Sequence, residues 1–232
     1  MDWTMKNPLP AEGRTVGFVG KGGGSKSTSL IHCLRYWGVM GIPAVGHDAD
    51  DSDKKADGSL KAWANMLPVT GPGLGSPVYG VPDAPSLAAE VNRLRSPHGI
   101  SAIDTKAWEN DPANLHYATI RTSDLLVLAL YPSGMETYRG GSILGAMDTV
   151  EGMTGHRPRL VCLLTRFNPR SSSVDEVRNE LEADGLPVLK AQIPASEDKR
   201  TGLAHSFGKM PRLKADSPLH QLAKELVLEL AK

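Results

Sequence analysis

Apolar and polar positions fall into alternating blocks along the chain. Val16 to Val19 is a short apolar run met at once by glycines, which predicts a strand and then a loop. From Ser27 to Gly38 the apolar residues Leu30, Cys33, Leu34 and Trp37 recur at helical spacing, and Gly38 or Gly41 can end that helix. Ile42 to Asp50 reads as a second strand that finishes in acids. The Pro- and Gly-rich stretch 68–85 predicts a loop enclosing one short strand near Val78 to Val81. Ser86 is placed to cap a helix, "SLAAEVNRLR". Gly99 to Asp104 predicts a third strand with an acid at its end. Asp124 to Tyr131 is apolar throughout, as a strand covered on both faces must be. A helix is expected from about Thr137 to Met153, a strand over Arg159 to Phe167, and an amphipathic helix in "SSVDEVRNELEADG" that stops at Gly185. "PVLKAQIP" predicts another strand, and "SPLHQLAKELVLELAK" a closing helix with Leu219, Leu222, Leu226 and Leu230 on one stripe.

Strand and helix thus alternate almost without exception. The expected fold class is α/β: a doubly wound, mostly parallel sheet flanked by helices, in one domain over residues 1–232, with 1–13 as a flexible lead-in. Ligands of such sheets bind at the C-terminal ends of the strands. Asp48, Asp50, Asp104 and the glycines after Val19 all fall at such ends.

Composition narrows the classes. Twenty-six basic residues balance 26 acidic ones, so no global field draws the chain to nucleic acid or anionic lipid, and any such affinity must come from a local patch. The N-terminal stretch has no apolar run of the signal-peptide kind, and no apolar segment approaches the ~20 residues of a membrane span. A membrane partner is therefore not expected. Cys33 and Cys162 lie far apart in apolar contexts and read as two reduced core thiols, which suits a cytoplasmic protein.

The chemistry concentrates in "FVGKGGGSKSTSL". Gly20, four residues, then Ser25-Lys26-Ser27 follow the phosphate-loop pattern G-x4-G-K-[ST] except at Ser25. In such a loop the residues Gly20, Gly22, Gly23 and Gly24 let successive backbone N–H groups turn toward phosphate oxygens. The helix that opens at Ser27 and Thr28 adds its positive end. Lys26 would neutralise the β- and γ-phosphates of ATP, and the Ser27 hydroxyl would hold Mg²⁺. A Cβ at residue 25 would crowd the phosphate or resist a positive φ. Gly24, one place earlier, is expected to have taken over the flexible role, with nucleotide binding preserved.

Lys21, directly before two glycines, makes the pattern more specific. "KGGGSKST" resembles the deviant Walker A motif K-G-G-x-G-K-[ST]-T of the ParA/MinD family of dimerising P-loop ATPases. The resemblance runs over nearly the whole chain. "HDADDSD" resembles the family's D-x-D-P-Q segment, "SAIDTKA" its Walker B strand, "LTRFNPR" the segment near its adenine pocket, and "QIPASEDKRTGLAHSFGKM" its I-P…SFGK stretch. Asp51 and Ser52 stand where the family has proline and glutamine, and Lys106 and Ala107 where it has two prolines.

The resemblance implies that Lys21 reaches across an ATP-dependent homodimer to the partner's nucleotide. It implies that Asp50 positions the attacking water, that Asp48 and Asp104 sit by the metal, and that Arg166, Asn168 and Pro194 line the base. The chain is most similar to the short ParA proteins of plasmid and chromosome partition, because only about a dozen residues precede the first strand. Such proteins, when dimerised by ATP, bind double-stranded DNA without sequence preference, associate with the nucleoid, and hydrolyse ATP slowly until stimulated by a ParB-like centromere-binding protein. Basic residues of the last third, with Arg170, Lys199, Arg200, Lys209 and Arg212 foremost, are the candidates for phosphate contacts. Binding through them would fall with salt, at a slope of roughly −0.9 per contact.

Three other readings share these motifs. A positioning ATPase for another cargo, such as a protein microcompartment or a receptor cluster, would use the same residues. A metallocluster-handling enzyme would need paired cysteines at the dimer interface, which Cys33 in the helix and Cys162 in a strand do not offer. A non-hydrolysing nucleotide-binding relative would fit the departures at Ser25, Asp51 and Lys106.

Overall fold

The computed structural model describes residues 5–50, 59–67, 74–108, 115–132, 134–168, 173–195 and 213–232, with side chains 135–140 set aside. Seven strands and seven helices alternate along it. They are β1 (Arg14–Val19), α1 (Lys26–Val39), β2 (Ala44–Ala49), α2 (Ser59–Met66), β3 (Val78–Gly80), α3 (Ala84–Leu94) and β4 (Ile100–Thr105), followed by α4 (Leu115–Thr122), β5 (Leu125–Leu130), α5 (Gly134–Thr154), β6 (Arg159–Phe167), α6 (Ser173–Ala183), β7 (Ile193–Pro194) and α7 (Pro218–Leu230).

The strands form one sheet in the order β3-β2-β4-β1-β5-β6-β7, and every pairing is parallel. β2, β4 and β5 are buried along their whole length, which explains the continuous apolar run of β5. Helices cover both faces. On one side α1, α2 and α7 pack over Val16, Phe18, Ile100 and Val127; on the other, α3 to α6 pack over Val19, Ile103, Leu126 and Leu128.

The closing helix packs on its own domain. Leu219, Leu222, Leu226 and Leu230 are all at most 1% exposed. The Trp37 indole N–H donates to the Ala223 carbonyl across that interface at 2.9 Å. Ser217 caps the helix by accepting from the His220 N–H.

Several boundaries differ from the sequence expectation. α3 starts two residues earlier than Ser86, because Asp83 is the N-cap and accepts the Ser86 N–H at 2.9 Å. α2 and α4 have no counterpart in the sequence reading. The stretch expected as one strand from Pro187 to Pro194 pairs with β6 only at Ile193–Pro194, where the register shifts between Thr165 and Phe167, and through an isolated bridge between Val188 and Cys162. The Glu225 carboxylate replaces strand partners there, accepting the Lys190 and Ala191 N–H groups at 2.8 Å each. The N-terminal segment expected to be flexible is tied down from residue 7. Asn7 donates to the His98 carbonyl at 2.7 Å, the His98 ring meets the Leu9 carbonyl at 2.8 Å, and Leu9 is buried. Cys33 and Cys162 are buried free thiols, and burial pushes Cys162 up to about 12, so neither is a nucleophile.

Candidate active site

β1 lies between β4 and β5, so its C-terminal loop emerges at the point where the strand order reverses. The loop is shaped by the closeness of β5. Gly20 has φ +133°, and a Cβ there would meet the Ala129 carbonyl oxygen at 2.7 Å. Gly23 has φ +79°. Gly24 does not take a left-handed conformation; it is needed because a Cβ would crowd the Ala129 and Lys21 oxygens at 3.1 and 3.2 Å. The left-handed residue is Ser25 itself, at φ 61° and ψ 27°, in the N-cap position of α1 with no side-chain capping bond. The conformational freedom expected at Gly24 is therefore not used, and Ser25 bears the cost that glycine would avoid.

Lys26 is buried and arches over the loop, donating to the Gly20 and Lys21 carbonyls at 3.1 Å each. Burial lowers its pKa, and Asp104 and Asp50 act against that. Lys21 is exposed at the mouth of the loop.

The three acids have different surroundings. Asp104 and Asp48 are register partners on β4 and β2. Asp104 is fully buried, and neither carboxylate oxygen meets a partner at hydrogen-bond geometry. Burial pushes it up to about 7; the nearby Ser27 hydroxyl and Lys26 favour the charged form, while Asp48 and Asp50 oppose it. An orphaned buried carboxylate beside a serine hydroxyl is the donor set of a hydrated Mg²⁺, which keeps most of its waters and takes one or two carboxylates. Among the described residues there is no cluster of three or more His, Cys, Asp or Glu that would cage a metal instead.

Asp48 is already engaged. One oxygen accepts the Asp50 N–H at 3.1 Å, and the other accepts the Lys61 N–H at 2.6 Å. It thereby caps the first turn of α2 from a different strand and sets the backbone at Asp50. Burial raises its pKa, and these N–H groups work against the rise. Asp50 is half-buried, and the Ser59 hydroxyl donates to it at 3.3 Å.

Residues 22–28 of the loop, Asp50, Ser59, Trp63, Thr105, Lys106 and Ala107 line an open cavity of about 280 Å³, and Asp48 and Asp104 are not part of its lining. Of this set, Ser59 and Trp63 had no signal in the sequence, and Thr105 was legible only as part of "SAIDTKA". Trp63 belongs to α2, which Asp48 holds in place. Thr105 donates to the Phe18 carbonyl at 2.7 Å and so joins the ends of β4 and β1.

A further support comes from β6. The buried Thr165 hydroxyl lies 3.1 Å from the Gly24 carbonyl and 3.2 Å from that of Leu130. Arg166, with φ 58°, donates to the Gly23 carbonyl at 2.7 Å. Arg166 is thus brought to the phosphate loop. Asn168 is exposed and Pro194 is buried in β7, and neither lines the cavity. The candidate DNA contacts Arg170, Lys199, Arg200, Lys209 and Arg212 lie outside the described residues. Among the described residues no helix is long and apolar enough to cross a membrane.

No protein-family model and no curated protein sequence matches the chain. Solved structures do. Cyanothece McdA in its ATP complex superposes with a TM-score of 0.66 at 14% identity, over 95% of this chain and 96% of that one. The MinD cell division protein of Aquifex aeolicus gives 0.67 at 12% identity, over 92% and 96%. A proposed plasmid partition protein of Borrelia burgdorferi bound to AMPPNP gives 0.62 at 11% identity, over 94% and 98%. The parallel sheet, the loop after β1 and the flanking helices together give this chain the fold that these McdA, MinD and partition-protein structures share.

Proposed function

We propose that the chain is a ParA-type ATPase switch. It binds Mg²⁺-ATP, dimerises on it, holds double-stranded DNA without sequence preference while dimeric, and lets go after hydrolysis stimulated by a ParB-like partner. The observation that carries this reading is the buried, unbonded Asp104 carboxylate beside Ser27 and Lys26, at the foot of a glycine loop whose carbonyls are already taken by Lys26, Arg166 and Thr165.

Phosphoryl transfer needs positioning and charge neutralisation more than covalent help. The carbonyls of Gly20, Lys21, Gly23 and Gly24 are engaged and the Gly24 N–H donates to the Lys21 carbonyl at 3.2 Å, so the other N–H groups of the loop would be the ones to meet phosphate oxygens. Lys26 would exchange its two carbonyl acceptors for phosphate oxygens, a stronger, charge-assisted bond. Ser27 and Asp104 would hold Mg²⁺, which would neutralise phosphate charge. Asp50, oriented by Ser59 and by the Asp48–N–H bond, would hold the attacking water. Lys21, exposed at the loop mouth, would complete the partner's site, so that hydrolysis and dimerisation are coupled.

The test is binding of non-specific duplex DNA with ATP, with ADP and with neither, at two salt concentrations. Binding only with ATP, weakened by salt and lost in Lys21→Ala and Arg200→Glu, is the expected result. Retained ATP binding with no DNA binding under any nucleotide would remove the partition reading, and with it a positioning ATPase that uses DNA as its track, and leave a membrane-associated or enzymatic relative on the same fold. A Lys21→Ala protein that dimerises and hydrolyses normally would refute the cross-subunit role.

A further inference from the structure

We propose that Lys106 is a phosphate ligand supplied by the same chain, and that it distinguishes a nucleoside triphosphate from a diphosphate. This rests on the nucleotide-binding reading above and assigns that site a further specificity-determining residue.

Lys106 follows β4 directly and lines the cavity from the wall facing the glycine loop. Its backbone is fixed against the loop on both sides. The Thr105 hydroxyl donates to the Phe18 carbonyl at 2.7 Å, and the Trp108 N–H donates to the Gly20 carbonyl at 3.0 Å. The His116 ring lies 3.2 Å from the Lys106 carbonyl, and the same ring packs on Trp108 with centroids 4.8 Å apart. A lysine stem that starts from so defined a point carries its charge to a limited volume, and the residue lines the cavity.

The position within the cavity selects the phosphate. Lys26 is bonded to the Gly20 and Lys21 carbonyls of the loop. Lys106 instead rises from the β4 end, two residues past Asp104 and on the cavity wall it shares with Thr105 and Ala107. Asp50, the water-orienting acid, borders the same cavity. On the proposed reading Asp50 holds the water that attacks the terminal phosphate, so a cation lining the same cavity would serve the phosphate that a diphosphate lacks. An ammonium there acts as a point charge, which suits a phosphate oxygen that changes position as it transfers.

The experiment is calorimetric titration of the full chain with AMPPNP and with ADP, both with Mg²⁺, for the wild type, Lys106→Met and Lys106→Arg. The expected result is AMPPNP affinity about tenfold weaker or worse in Lys106→Met, as for loss of one charge-assisted contact, with ADP affinity within about twofold and most of the loss recovered in Lys106→Arg. Retained ADP binding also shows that the variant is folded. Unchanged AMPPNP affinity in Lys106→Met, or equal loss for both nucleotides, overturns the role of Lys106 and leaves the phosphate loop standing. A wild type that binds neither nucleotide overturns the functional reading, and Lys106 with it.

Discussion

Replacing Ser25 with glycine should stabilise the protein. Ser25 holds φ 61° and ψ 27° at the start of α1, and its hydroxyl makes no capping bond. An L-residue in this left-handed region costs about 1–2 kcal/mol, and removing the Cβ relieves that cost. Glycine adds freedom to the unfolded chain that opposes the gain by about 0.5–1 kcal/mol. The net expectation for Ser25→Gly is about 0.5–1 kcal/mol. At about 2–4 °C per kcal/mol for a chain of this size, Tm should rise by about 1–4 °C. Ser25→Ala keeps the Cβ and loses no hydrogen bond, so it should stay within about 0.5 kcal/mol of wild type. Ser25→Val, β-branched, should fall well below it. Thermal melts without nucleotide, on the three variants side by side, give the answer. A lower Tm for Ser25→Gly would mean that the serine side chain makes a stabilising contact, and would refute the strain argument.

Other perturbations follow from the same packing. His47 is fully buried with neither ring nitrogen bonded, and burial lowers it to about 4. Its folded pKa is depressed, so the unfolded chain takes up the proton first; its contribution is present above about 6.5 and is lost as pH falls toward 4. His47→Leu should therefore flatten the stability–pH curve between those values by about 1.4 kcal/mol per pH unit, measured by urea unfolding across that range. Leu226→Ala, at a fully buried α7 position, should cost about 2–5 kcal/mol in the same assay; a neutral result would mean that α7 does not pack on the domain in solution. Thr165→Val should cost about 1–3 kcal/mol by leaving the Gly24 carbonyl without its hydroxyl, and should weaken nucleotide binding; unchanged unfolding and affinity would exclude this support role. Asp104→Asn should abolish the Mg²⁺ dependence of nucleotide binding while leaving the apo protein folded, checked by titration with and without Mg²⁺.

The sequence by itself determined most of the alternation of elements, a mostly parallel sheet, the phosphate loop and the acids at strand ends. These are local signals: continuous apolar runs such as Leu125 to Leu130, helical spacing in α1, and glycines followed by Lys26 and Ser27. The elements it missed lack such signals. α2 has only 8 residues, too few to hold a helix alone, and it is capped by Asp48 from another strand. α4 reads "LHYATIRT", rich in poor helix formers, and stands because Leu115, Ala118 and Ile120 are buried against the sheet. Only the tertiary structure decided which residues meet at the loop. Thr165 and Arg166 are 141 and 143 residues from the carbonyls they hold, and they reach them because β5 and β6 follow β1 in the strand order. It also decided that Asp48 is taken up by backbone N–H groups while Asp104 stays unbonded, although the two are partners in register. An acid at a strand end is legible from the chain, but what surrounds its oxygens depends on the neighbouring strands and on α2, which approach from elsewhere in the sequence.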